Sequence, residues 1–367
     1  MGWAALSELV PYYPLYALLF LDTGLSDAQI SVLFAIWSVT ALVTEVPAGA
    51  LADRWSRRGA VVLASVLQAA AFVVWTTAFR APAFWAFALG FVIWGVGGAL
   101  VSGASEALVH DELAAVGAEG SFGRVYGWMT SAELLVQVPT AFAASALFMV
   151  GGYQLVGWAS VLACLAAAAL ATRFPEAPRL SDDEDAPPLR AGVVEALRRP
   201  VLRWAVPAVA LIGGLDAVEE YFPVLAADQG VAVAAVPFAV LGIALAGAAG
   251  AAVGGRLPAR ALPVVLGAAG ACLVVAALTP SAVALVLSAV FYALYLAVLV
   301  AAESQLQARI TGPYRATLTS VAGLGIELAA LLVFAAWALG GIAAVAVLVL
   351  AVVPVASFGL RAPAERS

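Results

Sequence analysis

Lysine is missing from this chain of 367 residues, and all seventeen basic residues are arginine. Charge of either sign is scarce at 11%, against about 25% in an ordinary soluble domain. Hydrophobic residues make up 64% and the mean hydropathy is +1.04. A water-soluble fold of this size would have almost nothing polar to cover its surface, which excludes a soluble enzyme. A formal charge of −6 and a pI near 4.9 exclude nucleic acid as a partner, because binding it requires a basic face. Histidine occurs once, at position 110, in a polar stretch with Asp111 and Glu112 that reads as a turn, and a single histidine cannot build a zinc site. Both cysteines, Cys164 and Cys272, sit inside apolar runs with no second cysteine or histidine nearby, so they read as small hydrophobes. No P-loop or other nucleotide motif occurs. No metal and no cofactor is therefore expected. The first apolar stretch lacks the basic lead of a signal peptide and is read as a spanning helix.

What the chain does have is long apolar runs. A bilayer core about 30 Å thick needs about 20 apolar residues per helix. Polar, Pro and Gly punctuation divides the sequence into twelve such runs: 3–22, 28–52, 60–79, 83–108, 123–149, 152–173, 203–227, 234–255, 261–279, 282–302, 315–337 and 340–360. Most joints are short. The exception is 174–202, where Pro and consecutive acids forbid a membrane helix, giving an N-terminal six-helix bundle over 1–173, a cytoplasmic linker and a C-terminal bundle over 203–367. On this map every arginine except Arg80 falls in an inner loop, and because basic residues concentrate in cytoplasmic loops both termini are expected in the cytoplasm. The arginine-only basic set and the abundant alanine point to a GC-rich bacterial genome, hence to a bacterial inner membrane.

The halves resemble each other. S-E-L-V-P-Y-Y-P, D-T-G-L and G-A-L-A-D-R-W-S-R-R in the first are echoed in order by E-E-Y-F-P, D-Q-G-V and G-A-A-V-G-G-R-L-P-A-R in the second. Duplicated bundles with a site at the interface of the repeats are a common transporter plan. The string Gly49 to Arg58 resembles the helix 2–3 signature of the major facilitator superfamily, G-x-L-a-D-R-x-G-R-R, with Ser56 in place of the second glycine. The resemblance covers the whole chain. It implies an all-α membrane fold of twelve helices in two pseudo-symmetric bundles, and an inner gate in which Gly49, Asp53, Arg54, Arg57 and Arg58, with Glu45 nearby, meet neighbouring helix ends when the cytoplasmic side is closed. Gly255 replaces Asp53 in the second copy, so the gate is expected to be asymmetric.

Acids within the membrane carry the functional signal. A carboxylate at mid-bilayer costs about 2.5–3.5 kcal/mol or more, so such groups usually face a cavity and mark a pathway. Glu8, Glu45, Glu106, Glu133, Asp216, Glu219, Glu220, Glu303 and Glu327 fall on helices 1, 2, 4, 5, 7, 10 and 11. Helices 3, 6, 9 and 12, which the resemblance places on the lipid side, hold no charge between their ends. Glu133 and Glu327 lie near mid-depth at equivalent places in the two halves. Gln137 follows Glu133 by one turn, as Tyr12 follows Glu8. Asp216, Glu219 and Glu220 span one turn of helix 7, so at least two share a face. Crowded carboxyl groups in a dry site cannot all be ionised, which suits a proton relay. No arginine lies in mid-span to clamp an anion. Trp94, Gly98, Ser102 and Glu106 form one stripe, and Ser288, Tyr292, Tyr295 and Glu303 another; aromatic faces beside acids suit organic cations.

The expected activity is that of a secondary transporter, a monomer in the bilayer, exporting a small hydrophobic or cationic compound against protons by alternating access. Helix 5 lacks the G-P-x-x-G-G and helix 4 the arginine that are frequent in drug exporters of the family. A proton-coupled importer of a neutral molecule and a non-transporting membrane sensor or accessory protein are the alternatives.

Overall fold

A computed structural model describes residues 1–78, 84–176, 202–310 and 315–360; most of the expected linker and Arg80 lie outside them. Among the described residues there is helix, turn and bend but no strand. The helices are α1 (Gly2–Glu8), α2 (Tyr16–Asp22), α3 (Asp27–Arg54), α4 (Arg57–Ala78), α5 (Phe84–Ala115), α6 (Phe122–Ala171), α7 (Leu202–Gly214), α8 (Phe222–Asp228), α9 (Val236–Gly254), α10 (Leu262–Leu278), α11 (Ala282–Arg309) and α12 (Arg315–Gly359).

Eight of the described helical segments are long and apolar enough to cross a membrane. Two of them are double. At 1.5 Å per residue the 50 residues of α6 would reach about 75 Å, more than twice a bilayer core of about 30 Å. The chain reverses inside it at Gly151–Gly152, where Gly152 takes φ 57°, and α12 reverses likewise at Gly341 with φ 56°. Only glycine adopts that left-handed backbone readily, so each Gly-Gly pair folds two spans back with no intervening loop.

The first and seventh runs are interrupted rather than continuous. Pro11 and Pro14 cannot donate to a helical ladder, and between α1 and α2 residues 9–10 are irregular and residues 11–15 form a turn. In the second half a 3-10 segment, Leu215–Tyr221, separates α7 from α8, which starts with Pro223 in its first turn. Two interrupted runs added to eight long segments, two of them double, account for twelve crossings. The protein is a multi-pass membrane protein.

Several helices overrun the expected spans, since only their middles must be apolar. The fourth run was expected to end at 108, but α5 continues to Ala115. His110, Asp111 and Glu112 therefore ride on the last turns of a helix and not in a turn, and Asp111 is held there by Arg57.

The chain forms two compact units: Met1–Asp183 with Ala232–Phe238, and Glu184–Val231 with Ala239–Ser367. In unit 1, Phe20, Phe72, Trp75, Phe87 and Phe91 are fully buried together, and the Trp75 indole donates to the Phe87 carbonyl at 3.1 Å. In unit 2, α9 crosses α11 so closely that a Cβ on Gly250 would lie 1.9 Å from the Ala293 carbonyl oxygen. Small residues that let helix backbones approach are the usual packing device in lipid, where apolar side chains gain little from leaving an equally apolar solvent.

Candidate functional site

In unit 1 a cavity of about 420 Å³ opens beside the break in the first run. The break puts Glu8 at the carboxyl end of α1, where the last carbonyls of a helix carry partial negative charge. Across the cavity α5 contributes Trp94, Gly98, Ser102 and Glu106, with Gly97, Val101 and Ser105 beside them, and α6 contributes Tyr126, Met129 and Glu133. All four members of the predicted helix 4 stripe thus face one space. Glu8 and Glu133, distant in sequence, lie within electrostatic reach of each other.

The polar groups of the wall are tied to one another. The Tyr126 hydroxyl donates to Glu106 at 2.6 Å, and Gln68 donates to the Tyr13 hydroxyl at 2.6 Å. The Ser102 hydroxyl donates to Glu45 at 2.8 Å, which ties Glu45 to a wall residue although Glu45 is not itself on the wall. Among the described residues that line it, none has a basic side chain. The side chains of the site can therefore accept hydrogen bonds, protons or a cation, and the one positive charge within electrostatic reach of Glu133 among the described groups is the Met1 ammonium.

Two expectations change. Gln137 is exposed and does not line the cavity, although it follows Glu133 by one turn. Tyr12, which a continuous helix would have put beside Glu8, is turned by the prolines into the core, where its hydroxyl lies 3.2 Å from that of Thr76. Its neighbour Tyr13 lines the wall instead. The aromatic argument for cations weakens as well. Trp94 stacks on Tyr13 at 5.7 Å, on Trp37 at 5.1 Å and on Phe91 at 5.9 Å. Its faces are occupied by other rings, and a cation needs a face. On this wall only the carboxyl groups of Glu8, Glu106 and Glu133 could attract positive charge.

Unit 2 holds a second polar cluster. In the 3-10 segment residues three apart eclipse, which brings Asp216 and Glu219 to a single hydroxyl: Tyr292 lies 3.1 Å from Asp216 and 2.9 Å from Glu219. Phe222 meets the Tyr292 ring edge-on at 5.1 Å and Tyr295 stacks on it at 5.9 Å, while Tyr295 donates to the Gly213 carbonyl at 3.2 Å. Both tyrosines are buried, so neither offers an open face. Glu303 lies within electrostatic reach of Asp216. Glu220 is half-buried, and Glu327 is exposed on α12.

At the α3–α4 junction of unit 1 the string beginning at Gly49 makes a compact ion-pair network. Arg57 pairs with Asp53 at 3.1 Å and with Asp111 on α5. Arg58 donates to the Phe174 carbonyl at 3.0 Å, just past α6, and lies 3.7 Å from Glu176. Ser56 donates to Glu176 at 2.8 Å and accepts from the Gly59 amide at 2.7 Å, contacts a glycine could not make. Arg54 is exposed. In unit 2, where Gly255 stands in for Asp53, Arg309 at the end of α11 donates to the Gly359 and Leu360 carbonyls at 2.9 and 2.8 Å.

The sequence profile of the Major Facilitator Superfamily matches residues 2–334. The chain belongs to that superfamily. It is a transporter and not an enzyme. A search of curated protein sequences returned no match. Among solved structures, this superfamily member is similar to a bacterial homolog of the human lysosomal transporter Spinster at 18% identity, over 98% of this chain and 90% of that one, with a TM-score of 0.70. It is similar also to a D-xylose-proton symporter at 15% identity over 96% and 95%, TM-score 0.70, and to the nucleoside transporter NupG at 12% identity over 98% and 96%, TM-score 0.71. At these identities the likeness concerns the fold.

Proposed function

We propose that this protein is a proton-coupled exporter of a small hydrophobic or cationic compound, working by alternating access, with Glu133 as the group that takes the proton. The observation that carries the reading is a cavity with Glu8, Glu106 and Glu133 on its wall and no basic side chain among the described residues that line it. A carboxylate can hold a proton or attract a cation, and protonation removes the charge that attracts. Competition for one group is the logic of exchange, and it needs no nucleotide. The acids of unit 2, Asp216, Glu219, Glu220, Glu303 and Glu327, are candidates for a second proton-accepting group. The reading extends to a monomer in a bacterial inner membrane, with both termini and the 174–202 linker cytoplasmic.

The test is a panel of compounds added to inside-out vesicles carrying a pH-sensitive dye. A transported cation should dissipate an imposed acid-inside gradient. The missing exporter signatures in helices 4 and 5 favour a second reading, a symporter for a neutral solute. Accumulation of solute by intact energised cells, with no proton movement in everted vesicles, would establish that reading instead.

A further inference from the structure

The run G-V-G-G on α5 contains three glycines with different surroundings. A Cβ on Gly95 would lie 2.9 Å from Thr40 and 3.0 Å from the Trp37 carbonyl oxygen, and one on Gly97 would lie 3.1 Å from the Ala64 carbonyl oxygen. These two let α5 pack against α3 and α4. A Cβ on Gly98 would meet nothing within 4 Å. Gly98 lines the cavity, with Trp94 one turn before it and Ser102 one turn after on the same wall. Glycine is a poor helix former, and no neighbour or backbone angle requires it at this position. A side chain here would project into the space between Trp94 and Ser102.

We infer that Gly98 sets the largest ligand the cavity admits: its missing side chain leaves room for the apolar body of an organic cation whose charge is met by the wall carboxyl groups. This rests on the reading of the cavity as a cation site. The volume of about 420 Å³ lies within the range of small-molecule pockets, about 300–1,000 Å³. Trp94 is fixed by its stacked neighbours and cannot swing aside to compensate, so volume added at 98 is taken directly from the ligand. The position therefore discriminates by size and not by charge.

The experiment measures binding of tetramethyl-, tetraethyl- and tetrabutylammonium and of tetraphenylphosphonium to the purified full chain, for wild type and for Gly98→Ala, Gly98→Val and Gly98→Leu. Each variant is first checked for a monodisperse profile and an unfolding midpoint no lower than that of wild type. Gly267→Leu, at an equally open glycine on α10 of unit 2, serves as control. Wild type and control should bind across the series. With growing side chain at 98 the largest ions should be lost first, weakening by about tenfold or more, while tetramethylammonium keeps its affinity. Ala and Val give the graded answer if Leu does not fold. Equal loss of all four ions, or no loss of any, would overturn the size-limit role while leaving the cation reading intact. Wild type that binds none of them would overturn the cation reading and this inference with it.

Discussion

The Tyr292 hydroxyl lies 2.9 Å from Glu219, joining α11 to the 3-10 segment that interrupts the seventh run. The contact is a consequence of the interruption, since in a 3-10 segment Asp216 and Glu219 point the same way and share one hydroxyl. Hydrogen bonds of this kind contribute about 0.5–1.5 kcal/mol, or up to about 3 kcal/mol with an ionised partner. Tyr292→Phe should lower thermal stability in detergent by an amount in that range. Combined with Glu219→Ala it should lower it by at least about 0.5 kcal/mol less than the sum of the single changes, because both remove one bond. Strict additivity would show that the contact contributes nothing.

At the α3–α4 junction of unit 1, Arg57 holds two acids in unequal surroundings. The Asp53 side chain is 53% exposed and that of Asp111 is 11% exposed. An exposed ion pair contributes about 0.2–1 kcal/mol, and removing one partner of a pair shielded from solvent costs more because it strands the other charge. Asp53→Asn should barely move the unfolding midpoint, Asp111→Asn should lower it clearly, and Arg57→Ala should lower it most. Raising salt should erase the Asp53 effect first.

The glycines give a pair of opposite outcomes. A Cβ on Gly90 would lie 2.0 Å from the Trp75 ring nitrogen, inside the aromatic core. Gly90→Ala should destabilise unit 1 by about 1–3 kcal/mol through overpacking. Gly98→Ala meets no neighbour and should be neutral or stabilising by up to about 1 kcal/mol. The measurement is the thermal unfolding midpoint of each purified variant, read beside its transport activity.

Much of this was legible beforehand. Twelve apolar runs, two similar halves and the motif at Gly49–Arg58 pointed to the fold, because in lipid the spacing of charge and apolar length leaves few alternatives. The stripe Trp94–Gly98–Ser102–Glu106 could be placed on one face by helical spacing alone. What spacing could not reach was the effect of prolines. Pro11 and Pro14 turn Tyr12 into the core and bring Tyr13 to the wall, and the 3-10 segment selects Asp216 and Glu219 over Glu220 as partners of Tyr292. Helix periodicity assumes an uninterrupted helix. Tyr126 and Gln68 were also missed: each is one polar residue on a long helix, and only packing shows what it meets. The prolines in S-E-L-V-P-Y-Y-P were the one available warning.

The central claim is that Glu133 couples substrate movement to protons. It is tested most directly in inside-out vesicles with an imposed acid-inside gradient, by comparing wild type, Glu133→Gln and Glu327→Gln on any compound that the wild type transports. Glutamine keeps the size and removes the titration. The account predicts that the compound dissipates the gradient with wild type and with Glu327→Gln but not with Glu133→Gln. Unchanged coupling in Glu133→Gln would contradict it, and loss confined to Glu327→Gln would move the role to that residue.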